Sequence, residues 1–260
     1  MAAGVAVNMD GVGTGHMHGS LGDVDGDGRL DLLVTDLSYQ SLYRSIGPCQ
    51  YEDVVARSGV RRLMDGAESW GAVLEDLDND GDLDLFAANG GADTLTPKLP
   101  TLLVNDGKGN FTDASKKAGS YFLGKRSGRG VAFGDFDDDG RIDIVVSHLD
   151  GEGKPVLLRN VTENGNHWLG VRLKPTRSPS EPVGAEVRVT TSDAGGEKTQ
   201  LRVFQRSTSY LSVNDPRLHF GLGKATRVDR LEVRWPSGTV QSLTGLAADR
   251  YLAVTEPAAR

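Results

Sequence analysis

Aspartates recur in this chain at a spacing that makes chemical sense around a cation. The first run is Asp23-Val24-Asp25-Gly26-Asp27-Gly28-Arg29-Leu30-Asp31. The second is Asp76-Leu77-Asp78-Asn79-Asp80-Gly81-Asp82-Leu83-Asp84, and the third is Asp135-Phe136-Asp137-Asp138-Asp139-Gly140-Arg141-Ile142-Asp143. All three read D-x-D-x-D-G-x-[LI]-D. Carboxylates held this close repel one another unless positive charge sits among them. A short loop of hard oxygen donors suits Ca²⁺, which takes six to eight of them, and the fixed Gly at position six permits the sharp turn around the ion. Mg²⁺ fits less well, because it demands octahedral geometry and keeps its waters.

By analogy with the EF-hand calcium loop, positions one, three and five give side-chain ligands and position seven gives a backbone carbonyl. The expected set is therefore Asp23, Asp25, Asp27 and the Arg29 carbonyl. Its counterparts are Asp76, Asp78, Asp80 with Asp82, and Asp135, Asp137, Asp139 with Arg141. An EF-hand requires Glu at position twelve. Here that place holds Val34, Ala87 or Val146, so Asp31, Asp84 and Asp143 at position nine are expected to supply the missing ligand. An acidic surface turn is the alternative, and three copies in phase count against it. The expected role of about three Ca²⁺ ions is structural, their binding free energy becoming folding free energy.

The loops must be carried by strands. An apolar run follows each one (LDLLVTD, LDLFAAN, IDIVVSH), too short for an amphipathic helix. The motifs start at 23, 76 and 135, and such a period marks a repeat architecture. A Gly-containing strand precedes each loop: GHMHGSLGD, ESWGAVLED and GRGVAFGD. A third strand follows in QSLYRSIG, PTLLVNDGKGN and KPVLLRNV, and the first two units add a fourth in YEDVVARSGV and FTDASKKAGS. Four short antiparallel strands per unit is the pattern of a propeller blade. From about residue 166 the aspartate motif stops while strand alternation continues. HWLGVRL, AEVRVTT, TQLRVFQ, VDRLEVRWPSG, TVQSL and RYLAVTE predict a small β-sandwich, with a turn at 193–196.

Composition agrees. Of 260 residues, 34 are Gly and 10 are Pro, which fits a turn-rich all-β chain. The net charge of −7 sits in the motif aspartates, and three divalent ions would offset six of those seven charges. A basic stripe for nucleic acid is lacking. The single Cys49 excludes an intrachain disulfide. No apolar run reaches the ~20 residues of a bilayer span, and MAAGVAVNMDG has no signal-peptide pattern.

The repeats resemble the FG-GAP/VCBS family of calcium-binding propeller blades over roughly residues 1–162. The LLVNDGKGNFTD-like strand pair is closest to the cartilage acidic protein family and its bacterial relatives. Residues 166–260 resemble the ASPIC/UnbV domain that follows such repeats, in Asn166-His167-Trp168-Leu169, Val183-Gly184-Ala185, Ser209-Tyr210-Leu211-Ser212, Asp215-Pro216-Arg217-Leu218-His219-Phe220-Gly221-Leu222-Gly223 and Val233-Arg234-Trp235-Pro236-Ser237-Gly238. The expectation is therefore an all-β chain with a partial β-propeller over 1–165, of about three calcium-loop blades with four antiparallel strands each, and an ASPIC/UnbV-like β-sandwich over 166–260. The opening MAAGVAVNMDGVGTG resembles the tail of a preceding blade. Three blades are too few to close a ring, so a further chain or segment is expected to complete it. The resemblance implies a secreted or surface-exposed protein, extracellular or periplasmic.

Other candidates are sparser. His16 and His18 could share one strand face, without an evident third metal ligand. His148, His167 and His219 are scattered, and no G-x-S-x-G elbow accompanies Ser207, Ser209, Tyr210 or Asp215. His167-Trp168 and Arg234-Trp235-Pro236 read as packing residues, with sugar stacking the alternative. Arg188, Arg202, Arg206, Arg217, Arg227, Arg230 and Arg234 read as solvated strand faces, or as a surface for an acidic glycan. Two functions follow from different classes. One is a calcium-binding extracellular recognition or adhesion module for a protein or glycan ligand. The other is a calcium-dependent enzyme acting on a carbohydrate or small organic substrate in the propeller channel, which would require a convergent acid/base pair there.

Overall fold

The computed structural model describes residues 5, 15–92, 95–149, 153–193 and 196–258. The opening run expected to belong to a preceding blade lies almost wholly outside them, as do Ala194 and Gly195 of the expected turn. The described chain is all-β, in five small sheets. The first contains β1 (His16–Gly22), β2 (Asp31–Asp36), β3 (Ser41–Gly47) and β4 (Gln50–Asp53) in chain order. The second repeats this with β5 (Ser69–Glu75), β6 (Asp84–Asn89), β7 (Thr101–Asn105) and β8 (Phe111–Asp113). Between them lies one short helix, α1 (Val60–Leu63). The third holds three strands, β9 (Gly128–Gly134), β10 (Asp143–His148) and β11 (Val156–Leu158). The repeat pattern implied four strands per blade, although the sequence showed no fourth one here. Instead, after Leu158 the side chains of Asn160, Asn164 and Asn166 tie the chain to the second acidic loop.

The strands after the loops have apolar centres that do not alternate with polar residues, because these sheets stack face to face. Every residue of β6 is buried. Leu85 joins a core with Leu33, Leu42, Leu74 and Leu103, shared with the first blade. Its neighbour Phe86 points the other way, into a core with Val131, Ile144 and Val146 of the third. A strand covered on both faces loses the polar half of its alternation.

One side chain repeats at each blade junction. Asn105, at the end of β7, donates from Nδ2 to the carbonyls of Val24 (2.8 Å) in the preceding blade's loop and Leu83 (3.0 Å) in its own. Asn160 does the same one blade later, to Leu77 (2.7 Å) and Ile142 (3.2 Å). These bonds satisfy loop carbonyls that stacking would otherwise strip of water.

The remaining strands are β12 (His167–Lys174), β13 (Glu186–Asp193), β14 (Gly196–Val203), β15 (Leu218–Gly223), β16 (Arg227–Arg234), β17 (Val240–Ala247) and β18 (Arg250–Thr255). They form the sheets β15-β12-β18 and β14-β13-β16-β17. Leu169, Val171 and Phe220 of one sheet meet Val187, Val189, Leu231 and Val233 of the other in a common core, so the pair is a sandwich. The pairing of β12 with β18 is parallel. The sandwich packs on the blades, and β14 reaches β1.

Asn105 is buried, and its replacement leaves two loop carbonyls unpaired. Asn105→Ala is expected to cost about 2 kcal/mol, seen as a lowered midpoint in thermal or urea unfolding. Asn110→Ala, which removes only an exposed bond to Asp106, should cost less than about 0.5 kcal/mol.

Candidate metal centres

Each acidic loop joins the first and second strands of a blade. Two residues per loop adopt a left-handed backbone. At position six these are Gly28 (φ 81°), Gly81 (94°) and Gly140 (82°), and at position four they are Gly26 (69°), Asn79 (62°) and Asp138 (57°). Sequence reasoning found the first constraint and missed the second. Its signal was the restriction of position four to Gly, Asn and Asp, the residues that tolerate this conformation.

The aspartates divide the work by position. At position one, Asp23 accepts backbone N–H bonds from Asp27 (3.1 Å) and Gly28 (2.9 Å), and Asp135 accepts from Asp139 (3.0 Å) and Gly140 (2.7 Å). Asp76 accepts from Gly81 at 2.8 Å. At position five, Asp27, Asp80 and Asp139 each accept from the backbone two residues on. At position nine the carboxylate is a brace. Asp31 accepts from Val24 (3.0 Å) and from Ser45 of the third strand (2.8 Å). Asp84 does so from Leu77 (3.2 Å) and Asn105 (3.0 Å), and Asp143 from Phe136 (3.2 Å) and Asn160 (2.7 Å). Position nine thus locks the loop to the blade.

Three carboxylates converge in each loop, with one oxygen per residue within 4.8 Å of the others: Asp23, Asp25 and Asp27; Asp76, Asp78 and Asp84; Asp135, Asp137 and Asp143. These clusters could hold metal ions. The donor set is all hard oxygen, and buried Oδ1 atoms of Asp25 and Asp76 have no hydrogen-bond partner, as expected of ligands rather than of structural acceptors. Burial pushes Asp84 up to about 9 and Asp76 to about 8, and Asp31 and Asp80 to about 6. Neighbouring carboxylates add to the rise. A cation among them would remove that penalty. The carbonyls of Arg29, Asp82 and Arg141 were expected as ligands. The Arg29 and Arg141 side chains have a task of their own, pairing with Asp27 and Asp139.

The other sequence candidates do not assemble. A β-bulge separates His16 from His18, and burial lowers the His18 pKa, partly offset by a bond to the Thr208 backbone. His148 bonds Tyr121 (3.0 Å), His167 bonds Asp249 (2.6 Å) and His219 bonds Asn79 (2.6 Å). Arg188, Arg206, Arg217 and Arg227 form ion pairs. Arg202 is buried rather than solvated.

Residues 204–217 lie along the inner strands of all three blades. Gln205 donates to Leu21 of β1 (3.1 Å), Tyr210 packs edge-on against Trp70 of β5 (5.1 Å), and Asp215 donates its N–H to Phe133 of β9 (3.0 Å). Nothing in the sequence marks this insertion except the family resemblance of its Ser209–Ser212 run. Beneath it lies a cavity of about 50 Å³ bordered by Glu75, Arg202, Asp215 and His219. Burial brings Glu75 up to about 7 and His219 down to about 3.

Comparison with known proteins places these features. The FG-GAP-like repeat pattern matches residues 23–87 and 76–146, and the ASPIC and UnbV pattern matches residues 175–260. Human cartilage acidic protein 1 is 27% identical over 245 residues, covering 89% of this chain and 35% of the human protein. The mouse protein is 26% identical over 245 residues (89% of this chain, 36% of its own) and the Xenopus tropicalis protein 27% over 257 (88% and 35%). The chain spans about a third of the length of these relatives. The chain carries FG-GAP-like repeats and an ASPIC and UnbV domain, and cartilage acidic protein 1 is its homologue at 26–27% identity.

Proposed function

We propose that this chain is a calcium-stabilised extracellular recognition module. The observation that carries the proposal is the set of three carboxylate clusters, with buried ligand-type oxygens left unpartnered in two of them. Extracellular Ca²⁺ in the millimolar range suits oxygen-rich loops of this kind, and the cartilage acidic protein homologues are typical of extracellular proteins. No helix among the described residues is long and apolar enough to cross a membrane. The ions serve the fold, and ligand recognition falls to surface loops. The end of the blades away from the acidic loops offers one such surface. There Tyr210 packs edge-on against Trp70 (5.1 Å) above the buried Arg129, and Leu211 stands 88% exposed. A protein or glycan is the class of ligand that an adhesion-type role implies.

Calorimetric titration of chelator-stripped protein should show about three Ca²⁺ ions bound, with a raised thermal midpoint. Asp27→Ala, Asp80→Ala or Asp139→Ala should each lower the midpoint in calcium and shrink the shift produced by chelator. A melt indifferent to chelator would remove the structural-metal reading.

The sign of the pH effect follows from the raised carboxylates. Between about pH 4 and 9 the metal-free folded chain holds protons on Asp76 and Asp84 that the unfolded chain has released. Stability without metal should therefore fall as pH rises across that window. Calcium competes with those protons, so its stabilising shift should be small at pH 5 and large at pH 8.5. Melts at both pH values, with and without calcium, check this.

A further inference from the structure

The three loops have different counterions. In the first blade Arg44, on β3, reaches across to Asp25 and to Asp27 (3.2 Å), and Arg29 also pairs with Asp27. In the third blade Arg159 reaches Asp137 (2.5 Å) and Arg141 pairs with Asp139. Strand register makes Tyr43, Leu103 and Leu158 equivalent, since each faces the residue after the position-nine aspartate. Arg44, Val104 and Arg159 are therefore equivalent too. The second blade has Val104 where the others have Arg, and Asp82 where they have Arg29 and Arg141. Its loop carries five aspartates and no guanidinium of its own blade.

That same loop is the seat of the C-terminal sandwich. Gly221 donates its N–H directly to Asp76 Oδ2 (3.0 Å), and Gly223 donates to the Asn79 carbonyl (2.9 Å). His219 Nε2 meets Asn79 Oδ1 at 2.6 Å, and Lys198 reaches Asp82 at 2.6 Å. A Cβ on Gly221 would overlap Asp76 and the Asn79 backbone, so only glycine lets β15 settle there. Asp76 is completely buried by this contact, and its Oδ1 points to no protein donor. The third loop also meets the sandwich, through Arg217 and Tyr251, but two arginines of its own blade already pair with Asp137 and Asp139.

We infer that the second loop is an interdomain metal site: it binds its cation more tightly than the first and third loops, and filling it fastens β15 of the ASPIC and UnbV domain to the blades. This inference rests on the calcium reading above. In the first and third loops a cation must compete with guanidinium groups already paired to the carboxylates. In the second loop, among the described residues, no guanidinium pairs with the converging Asp76, Asp78 and Asp84; Lys198 sits on Asp82, outside that trio, and removing the metal leaves buried carboxyl groups without a counterion directly beneath β15.

The test is calcium calorimetry on the full chain, with hydrogen exchange followed in residues 218–223. Wild type should show one tight site and two weaker ones, and exchange in 218–223 should slow as the tight site fills. Val104→Arg supplies the guanidinium that the other blades carry, on a half-buried strand position. It should weaken the tight site by roughly tenfold, the worth of one charge-assisted hydrogen bond. Arg44→Val should convert a second site to the tight class. Asp78→Asn should remove the tight site and speed exchange in 218–223, whereas Asp137→Asn should remove a weak site and leave that exchange unchanged. Three indistinguishable sites, or protection of 218–223 that ignores the tight site, would overturn the inference while leaving calcium binding intact. No calcium binding at all would overturn the calcium reading, and this inference with it.

Discussion

Like charge packed beside apolar cores is the constraint around which this molecule is built. Each blade brings a cluster of carboxylates to the end where its first and second strands meet, and stacking then takes water away from the cluster. The backbone answers part of the difficulty. Left-handed turns at positions four and six aim successive N–H groups inward, and the position-one and position-five aspartates accept them. Arginines answer another part in the first and third loops. What is left over is electrostatic demand, greatest in the second loop, which is also the most enclosed.

Much of this was legible in the residues. The phase of the Asp and Gly positions located the loops, and the short apolar runs after them located β2, β6 and β10. The continuous burial of β6 explains why those runs do not alternate. The position-nine aspartate was seen but its part was only half understood. It was expected as a ligand, and the structure shows it bracing the backbone in or just past the third strand of every blade, while in two blades it also lies within the acidic cluster. The missing fourth strand of the third blade was foreshadowed by a sequence that passes from KPVLLRNV straight into the sandwich.

What could not be read was contact between segments far apart in the chain. The family resemblance marked 215–223 as part of the sandwich domain, yet gave no hint that His219, Gly221 and Gly223 face an aspartate loop some 140 residues earlier. Arg202 obeys the alternation of a half-buried strand and was expected in solvent, but packing of the sandwich against the blades buries it. The residues between β14 and β15 carry ordinary loop composition, and only the fold places them along three inner strands. Alternation reports which face of a strand is covered within its own sheet. It is silent about a second body that covers the other face.

The asparagines at the blade junctions imply an order of events during synthesis. Val24 lies in the first blade, but the amide that satisfies its carbonyl belongs to Asn105, and Leu77 in turn relies on Asn160. Each clasp points backwards along the chain. A ribosome therefore releases a blade before the residue that secures its acidic loop exists, and every newly made blade completes the one that emerged ahead of it. The repeat is in this sense a unit offset from its own sheet, running from the loop of one blade to the third strand of the next.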